Sequence, residues 1–244
     1  MLISDPLIYL LILLSGALVA AFVTGAVGFA DGLILNAFWL HIMKPTSAIA
    51  LIIVSSLLIH AIPLYRLRNT LDYSRLKSFV IFGIIGFPFG MWALISIDPE
   101  IFKIFIGCLL LGYGLWMLGR GVSPVVRQRP TLDGVVGFSG GFMGGFSALS
   151  GLLPTLWMSR QGVPKNVQRG TFEPYIVALN LVGIVAFYSG GKITAQIGFD
   201  LLCVTPILIL GSLAGTKIYP HINDAIFRKA ILILILLSGL MLLV

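Results

Sequence analysis

From Leu7 to Val23 the chain carries no charged side chain, and apolar runs of about 18 residues or more recur along its whole length. Runs of that length read as membrane-spanning helices. Composition agrees: 58% of the 244 residues are hydrophobic and 10% are charged, against roughly 25% charged in soluble domains. The mean hydropathy is +1.05. Too few polar residues exist to coat a globule, so the solvent for most of this chain is lipid. The expected fold class is an all-α polytopic membrane protein.

Two segments break the pattern. After Val23 comes TGAVGFADG, from Thr24 to Gly32, and a second apolar piece, Leu33 to Met43. The second broken segment, Val135 to Ser159, reads VVGFSGGFMGGFSALSGLLPTLWMS. Irregular backbone at membrane depth is tolerated only where protein or a wet cavity covers it. Each broken segment is expected to enter and return on one side, either as a re-entrant pair or as two full crossings. Continuous helices are expected at 46–65, 77–97 and 101–119, then at 166–189, 198–217 and 226–244.

The basic residues orient these segments. With the Arg66–Lys77 stretch cytoplasmic, two crossings place Arg120, Arg127 and Arg129 on the same side. The second broken segment returns there with Arg160, Lys165 and Arg169, and two more crossings bring Lys217, Arg228 and Lys229. Of 16 basic residues, only Lys44, Lys103 and Lys192 fall outside, with Asp5, Asp98, Glu100 and Asp200. That asymmetry obeys the positive-inside rule. It predicts a multi-pass protein of the cytoplasmic (inner) membrane with both termini extracytoplasmic. The opening MLISDPLIYL has no basic n-region, so the first helix is read as retained.

The two halves also resemble each other. Gly25, Gly32 and Pro45 align with Gly144, Gly151 and Pro164 in one register. Gly86 and Gly90 align with Gly211 and Gly215 in a second, which lays IDPEIFK, from Ile97, on INDAIFR, from Ile222. The change of register implies a short insertion near YSGGKITAQIG. The expected organisation is one transmembrane transporter domain, 1–244. Repeat one covers 1–122, a basic cytoplasmic linker 120–133, and repeat two 131–244. Each repeat is a broken helical hairpin plus three transmembrane helices, and the charge placement makes them inverted in topology, as in many secondary transporters.

Three features carry a family resemblance. One is GFADGLILNAFWLHIMKPTSA after the first helix; another is GGFMGGFSALSGLLPTLWMSRQGVPK in the second half. The third is the order of four segments, basic linker and four segments. On these the whole chain resembles the sulfite exporter TauE/SafE family, also called the toluene-sulfonate uptake permease family. The resemblance implies a transporter of sulfite, organosulfonates or other small organic anions. This chain departs from the family pattern at Asp31, where glycine is usual, and at Asn36, near the usual proline.

The candidate site lies where the two breaks meet. Broken helices expose N-terminal N–H groups and a positive dipole end, which suit a carboxylate or sulfonate. Gly25, Gly28, Gly32, Gly144, Gly145 and Gly151 would let backbone approach a ligand; close packing of helices through small residues is the alternative. Thr24, Asn36, Ser147, Ser150 and Thr155 offer donors to anionic oxygens, or else cap helices and back-bond to carbonyls. Asn180 is a further polar candidate, or an interhelical hydrogen bond. Asp31 and Glu173 are acids at membrane depth, where an ionisable group is costly and suggests function. They are the candidate proton carriers. Arg169 and Glu173, four apart on a helix, can pair, either as a gate or coupling element or as an interfacial ion pair. His60 is read as a buried or snorkelling histidine. Trp39, Trp92, Trp116 and Trp157 are read as interfacial anchors near helix ends.

Other functions fit less well. The net charge of +7 is absorbed by orientation of short loops and needs no nucleic acid. Cys108 and Cys203 are too few for a disulfide framework or a metal site, and no cofactor is implied. Gly137-Phe138-Ser139-Gly140 fits a rhomboid-protease pattern, but a serine nucleophile needs a histidine base. The sole downstream histidine, His221, falls in a cytoplasmic loop. With no nucleotide-binding fingerprint, transport must draw on an ion or potential gradient, with protons as the leading choice and an uncoupled channel or uniporter as the alternative. The expected partners are a small anion, protons and the lipid bilayer.

Overall fold

The computed structural model describes residues 5–67, 73–118, 130–161, 163 and 165–218, with 233, 236, 239, 240, 242 and 243 of the last segment. Nine helices are described in full: α1 Pro6–Val27, α2 Asp31–Trp39, α3 Pro45–Leu67, α4 Tyr73–Ser96 and α5 Pro99–Leu118, then α6 Pro130–Ser147, α7 Leu152–Arg160, α8 Lys165–Ser189 and α9 Ala195–Ile218. The described residues contain no strand. Five helices are long and apolar enough to cross a membrane: α1, α4, α5, α8 and α9; α3 contributes a shorter apolar stretch, Pro45–Ala61. The Arg120–Arg129 part of the basic linker, His221, and INDAIFR lie outside the described residues. Of the helix expected at 226–244, the described residues are helical, and Gly239 and Leu243 pack on α5 at Leu110, Leu111 and Gly107.

Local chemistry starts and stops these helices where the sequence breaks. Asp5 caps α1, its carboxylate accepting from the Leu7 N–H at 2.8 Å, with Pro6 in the first turn. Asp98 caps α5 in the same way through Glu100 N–H, 2.8 Å. Helix α1 ends at Gly28, whose φ of 97° only glycine adopts readily. The second break contains Ala148 at φ 57°, the one non-glycine residue with positive φ among those described.

Both broken segments are folded-back hairpins. Trp39, at the end of α2, donates its indole N–H to the Leu13 carbonyl of α1 at 3.2 Å, and Phe38 covers Gly16. In the second, Trp157 of α7 donates to Asp133 in the first turn of α6 at 2.7 Å, and Pro154 lies over Gly140. The returning arms, α2 and α7, have 9 residues each. At about 1.5 Å per residue they are too short to cross a bilayer, so neither hairpin is two full helical crossings.

The packing pairs elements across the halves. Helices α1 and α9 run parallel: Tyr9 meets Asp200, Ala21 meets Gly211, and Phe22 meets Gly215. Helices α4 and α6 also run parallel, with Phe79 on Gly137, Gly83 on Gly141, and Phe87 on Gly145. A Cβ at Gly86, Gly90, Gly141 or Gly145 would collide with backbone of the facing helix, so these glycines set the closest approach. Helices α3 and α8 cross antiparallel at the centre, Ile53 beside Gly183 and Ser56 bonded to Asn180.

Asp133, assigned to the linker, and Asp200, placed at the extracytoplasmic start of its helix, are both buried in helix interfaces. Asp133 receives Arg75 Nε and Nη2, both at 2.8 Å, and Asp200 accepts from the Tyr9 hydroxyl at 2.7 Å. A carboxylate taken from water needs such donors. Trp39 is likewise fully buried, not interfacial, and Trp157 ties its hairpin; Trp92 and Trp116 are exposed.

Candidate functional site

The two hairpins meet tip to tip. Gly32, in the first turn of α2, abuts the Ala148 carbonyl so closely that a Cβ would not fit. Asn36 Nδ2 donates to Gly32 O at 2.7 Å and across the hairpins to Ser147 O at 2.8 Å. A narrow pocket opens between the tips, with room for about one water-sized sphere. Phe29, Asp31 and Gly32 line one side, Ala148, Ser150 and Gly151 the other, and Ser56 of α3 reaches in.

The pocket stands at the start of both short helices. Each helix N-terminus carries a partial positive charge, although at α7 the Leu152 N–H already bonds Leu149 O at 3.2 Å and Pro154 has no N–H. They differ in one further respect. The first turn of α2 carries its own acid, Asp31, which lines the pocket beside Ser56. The first turn of α7 has no acid. The positive end of α7 is therefore not offset by an acid in its own first turn.

Behind Asp31 lies a buried ionic cluster. His60 Nε2 is 3.4 Å from Asp31 Oδ1, with both side chains buried. Arg169 Nε bonds Glu173 Oε1 at 2.7 Å. Gly28 lies against that second pair: a Cβ there would be 2.9 Å from Arg169 Nε and 3.1 Å from Glu173 Oε1. His60 feels the charges of Glu173 and Arg169 as well as Asp31. Three polar atoms here, Asn36 Oδ1, His60 Nδ1 and Glu173 Oε2, are buried with no hydrogen-bond partner among the described residues.

The site residues expected from sequence divide accordingly. Asp31, Gly32, Ser150 and Gly151 line the pocket, Asn36 and Ser147 join the hairpins, and Gly28, Arg169 and Glu173 form the cluster behind. The Ser147 hydroxyl itself back-bonds to Met143 O at 3.0 Å. Gly25 does not reach the pocket; it packs on Ser212 and Thr216 of α9. Gly145 packs on Phe87 and Met91, while Gly144 lies under Ser150. Thr24 and Thr155 are buried with unpartnered hydroxyls away from the pocket lining. Asn180 Nδ2 holds Ser56 Oγ at 2.9 Å.

Sequence reasoning missed Ser56 and the pairing of His60 with Asp31. One signal was available. Ser56 and His60 are four apart on an otherwise apolar helix, hence on one face.

Residues 12–242 match the description Sulfite exporter TauE/SafE. The chain belongs to the TauE/SafE family. It is thus a multi-pass membrane transporter of an anion-exporter family and not an enzyme, which disposes of the Ser139 protease reading. No curated protein and no solved structure matches the chain.

Proposed function

We propose that this protein is a secondary transporter of a small anion, with sulfite, an organosulfonate or a related organic anion as substrate, in the cytoplasmic membrane. The observation that carries the reading is the convergence of the α2 and α7 N-termini on one pocket between the hairpins. The anion binds on the acid-free α7 side, at Ser150 and Gly151, with Asn36 fixing the hairpins to each other. The pocket must widen to admit a sulfonate, and a moving repeat supplies that widening.

Inverted repeats support alternating access. Exchanging α1 with α6, α3 with α8 and α4 with α9 maps the α1–α9 contact onto the α6–α4 contact. The counterparts α3 and α8 run antiparallel, as inversion requires. Rocking one repeat against the other would then expose the pocket to each side in turn. The one-sided basic residues support a cytoplasmic location for the Arg66–Lys77 stretch and Arg160, hence extracytoplasmic termini. Asp31 and Glu173 are the acids placed to couple transport to protons.

Thermal stabilisation of purified protein by an anion panel tests the site. Sulfite, sulfate, an aromatic sulfonate and matched carboxylates are compared. At about a hundred times Kd a ligand adds roughly 2.7 kcal/mol to the folded state. The expected result is a selective upward shift by a sulfur oxyanion or sulfonate, reduced in Ser150→Ala. Stabilisation by carboxylates alone would leave the sulfur assignment without support.

A further inference from the structure

The acid beside the pocket poses a problem for an anion, and its partner resolves it. With neutral His60, the buried cluster of Asp31, His60, Arg169 and Glu173 carries one excess negative charge. An anion entering beside Asp31 meets that charge where little water screens it. A proton on His60 cancels it. The imidazole has a place for that proton: with Nε2–H directed at Asp31, Nδ1 keeps a buried lone pair with no partner. Proton uptake adds an N–H bond at Nδ1 and breaks no other.

We propose that the His60–Asp31 pair is the proton-binding site of this transporter, loaded together with the anion, so that proton and anion move in the same direction. The inference rests on the pocket being the anion site. Binding of each ligand then strengthens binding of the other by the same factor. His60 is the reporting group because, of the four side chains in the cluster, only an imidazole ordinarily changes charge between pH 5 and 8. The charged side chains acting on it are Asp31 of α2 and Arg169 and Glu173 of α8. Helix α9 places Ser212 at the Ile59 carbonyl; its Asp200 is engaged by Tyr9 and Gln196 and Lys217 is exposed. Helix α1 has no charged residue between Pro6 and Val27. Helix α4 has Arg75, held by Asp133, and exposed Lys77, while α5 has exposed Glu100 and partly exposed Lys103 near its start.

The test counts protons. Benzenesulfonate stays a monoanion across the range in which histidine titrates, so its own charge cannot mimic the effect. Its binding is measured calorimetrically at about pH 6 and about pH 8, in buffers of different ionisation enthalpy. The wild-type protein should bind more tightly at low pH, by up to about tenfold per pH unit for one linked proton, and take up protons on binding. In Asp31→Asn the affinity should lose its pH dependence and proton uptake should vanish. His60→Gln should also abolish uptake; if it fails to fold, the wild type and Asp31→Asn decide. Flat affinity without proton uptake in the wild type overturns the coupling and leaves the anion site standing. Uptake that persists in Asp31→Asn also overturns it. Failure of benzenesulfonate, sulfite and sulfate to bind at either pH removes the anion site, and the proton inference with it.

Discussion

Ala148 holds a left-handed backbone at the second break, φ 57°, where glycine occupies the first break at Gly28. A non-glycine residue there costs about 1 kcal/mol or more, and such strain is characteristic of ligand sites. Its carbonyl faces Gly32, so the strained unit is also the contact between hairpins. Ala148→Gly is expected to raise stability by about 1 kcal/mol, read as a shift in the unfolding midpoint in mixed micelles. The gain would come with a looser pocket and weaker anion binding, since the tip would lose its fixed shape. At this scale the sequence was only partly legible. Asp31, Glu173 and the Arg169 pairing followed from charge in an apolar setting and helical spacing. His60 did not, because its partner is supplied by a different helix and no local pattern links residues 29 positions apart. Gly25 was ambiguous for a physical reason: a glycine that admits a ligand and one that admits a neighbouring backbone look alike in sequence.

At the scale of elements, glycine packing holds the hairpins on their partners. Gly83, Gly86 and Gly90 of α4 lock onto α6 with Gly137, Gly141 and Gly145. Lipid supplies no hydrophobic drive between helices, so close van der Waals contact must do so. Gly141→Ala places a methyl against the backbone of Gly83, which cannot yield as a side chain would. We expect a loss of about 1–3 kcal/mol by the same unfolding measurement. Gly112→Ala is the matched control: no atom lies within 4 Å of a Cβ there, and alanine should be neutral or stabilising by up to about 1 kcal/mol. The helices themselves were legible from sequence, because polarity and glycine mark their ends in a chain this apolar. The fold-back of α2 and α7 was legible only as one of two options. It took the nine-residue length of each returning arm to exclude two full crossings. The burial of Asp133 and Asp200 was not legible because their donors, Arg75 and Tyr9, come from distant helices.

For the whole molecule, the two halves pack as exchanged counterparts around α3 and α8, and the pocket lies at their junction. That arrangement places the anion site, the ionic cluster and the hairpin contact within one shared region, so movement of either repeat alters all three. On the proposed reading, transport and proton binding are then properties of the same rearrangement. The most direct measurement is uptake of a labelled aromatic sulfonate or sulfite into proteoliposomes, with and without an imposed inward proton gradient. The wild type should accumulate the anion only with the gradient, and Asp31→Asn should lose gradient-driven uptake while still exchanging anion across the membrane. Uptake indifferent to the gradient, or gradient-driven uptake unchanged in Asp31→Asn, would contradict the account and point to an uncoupled pathway.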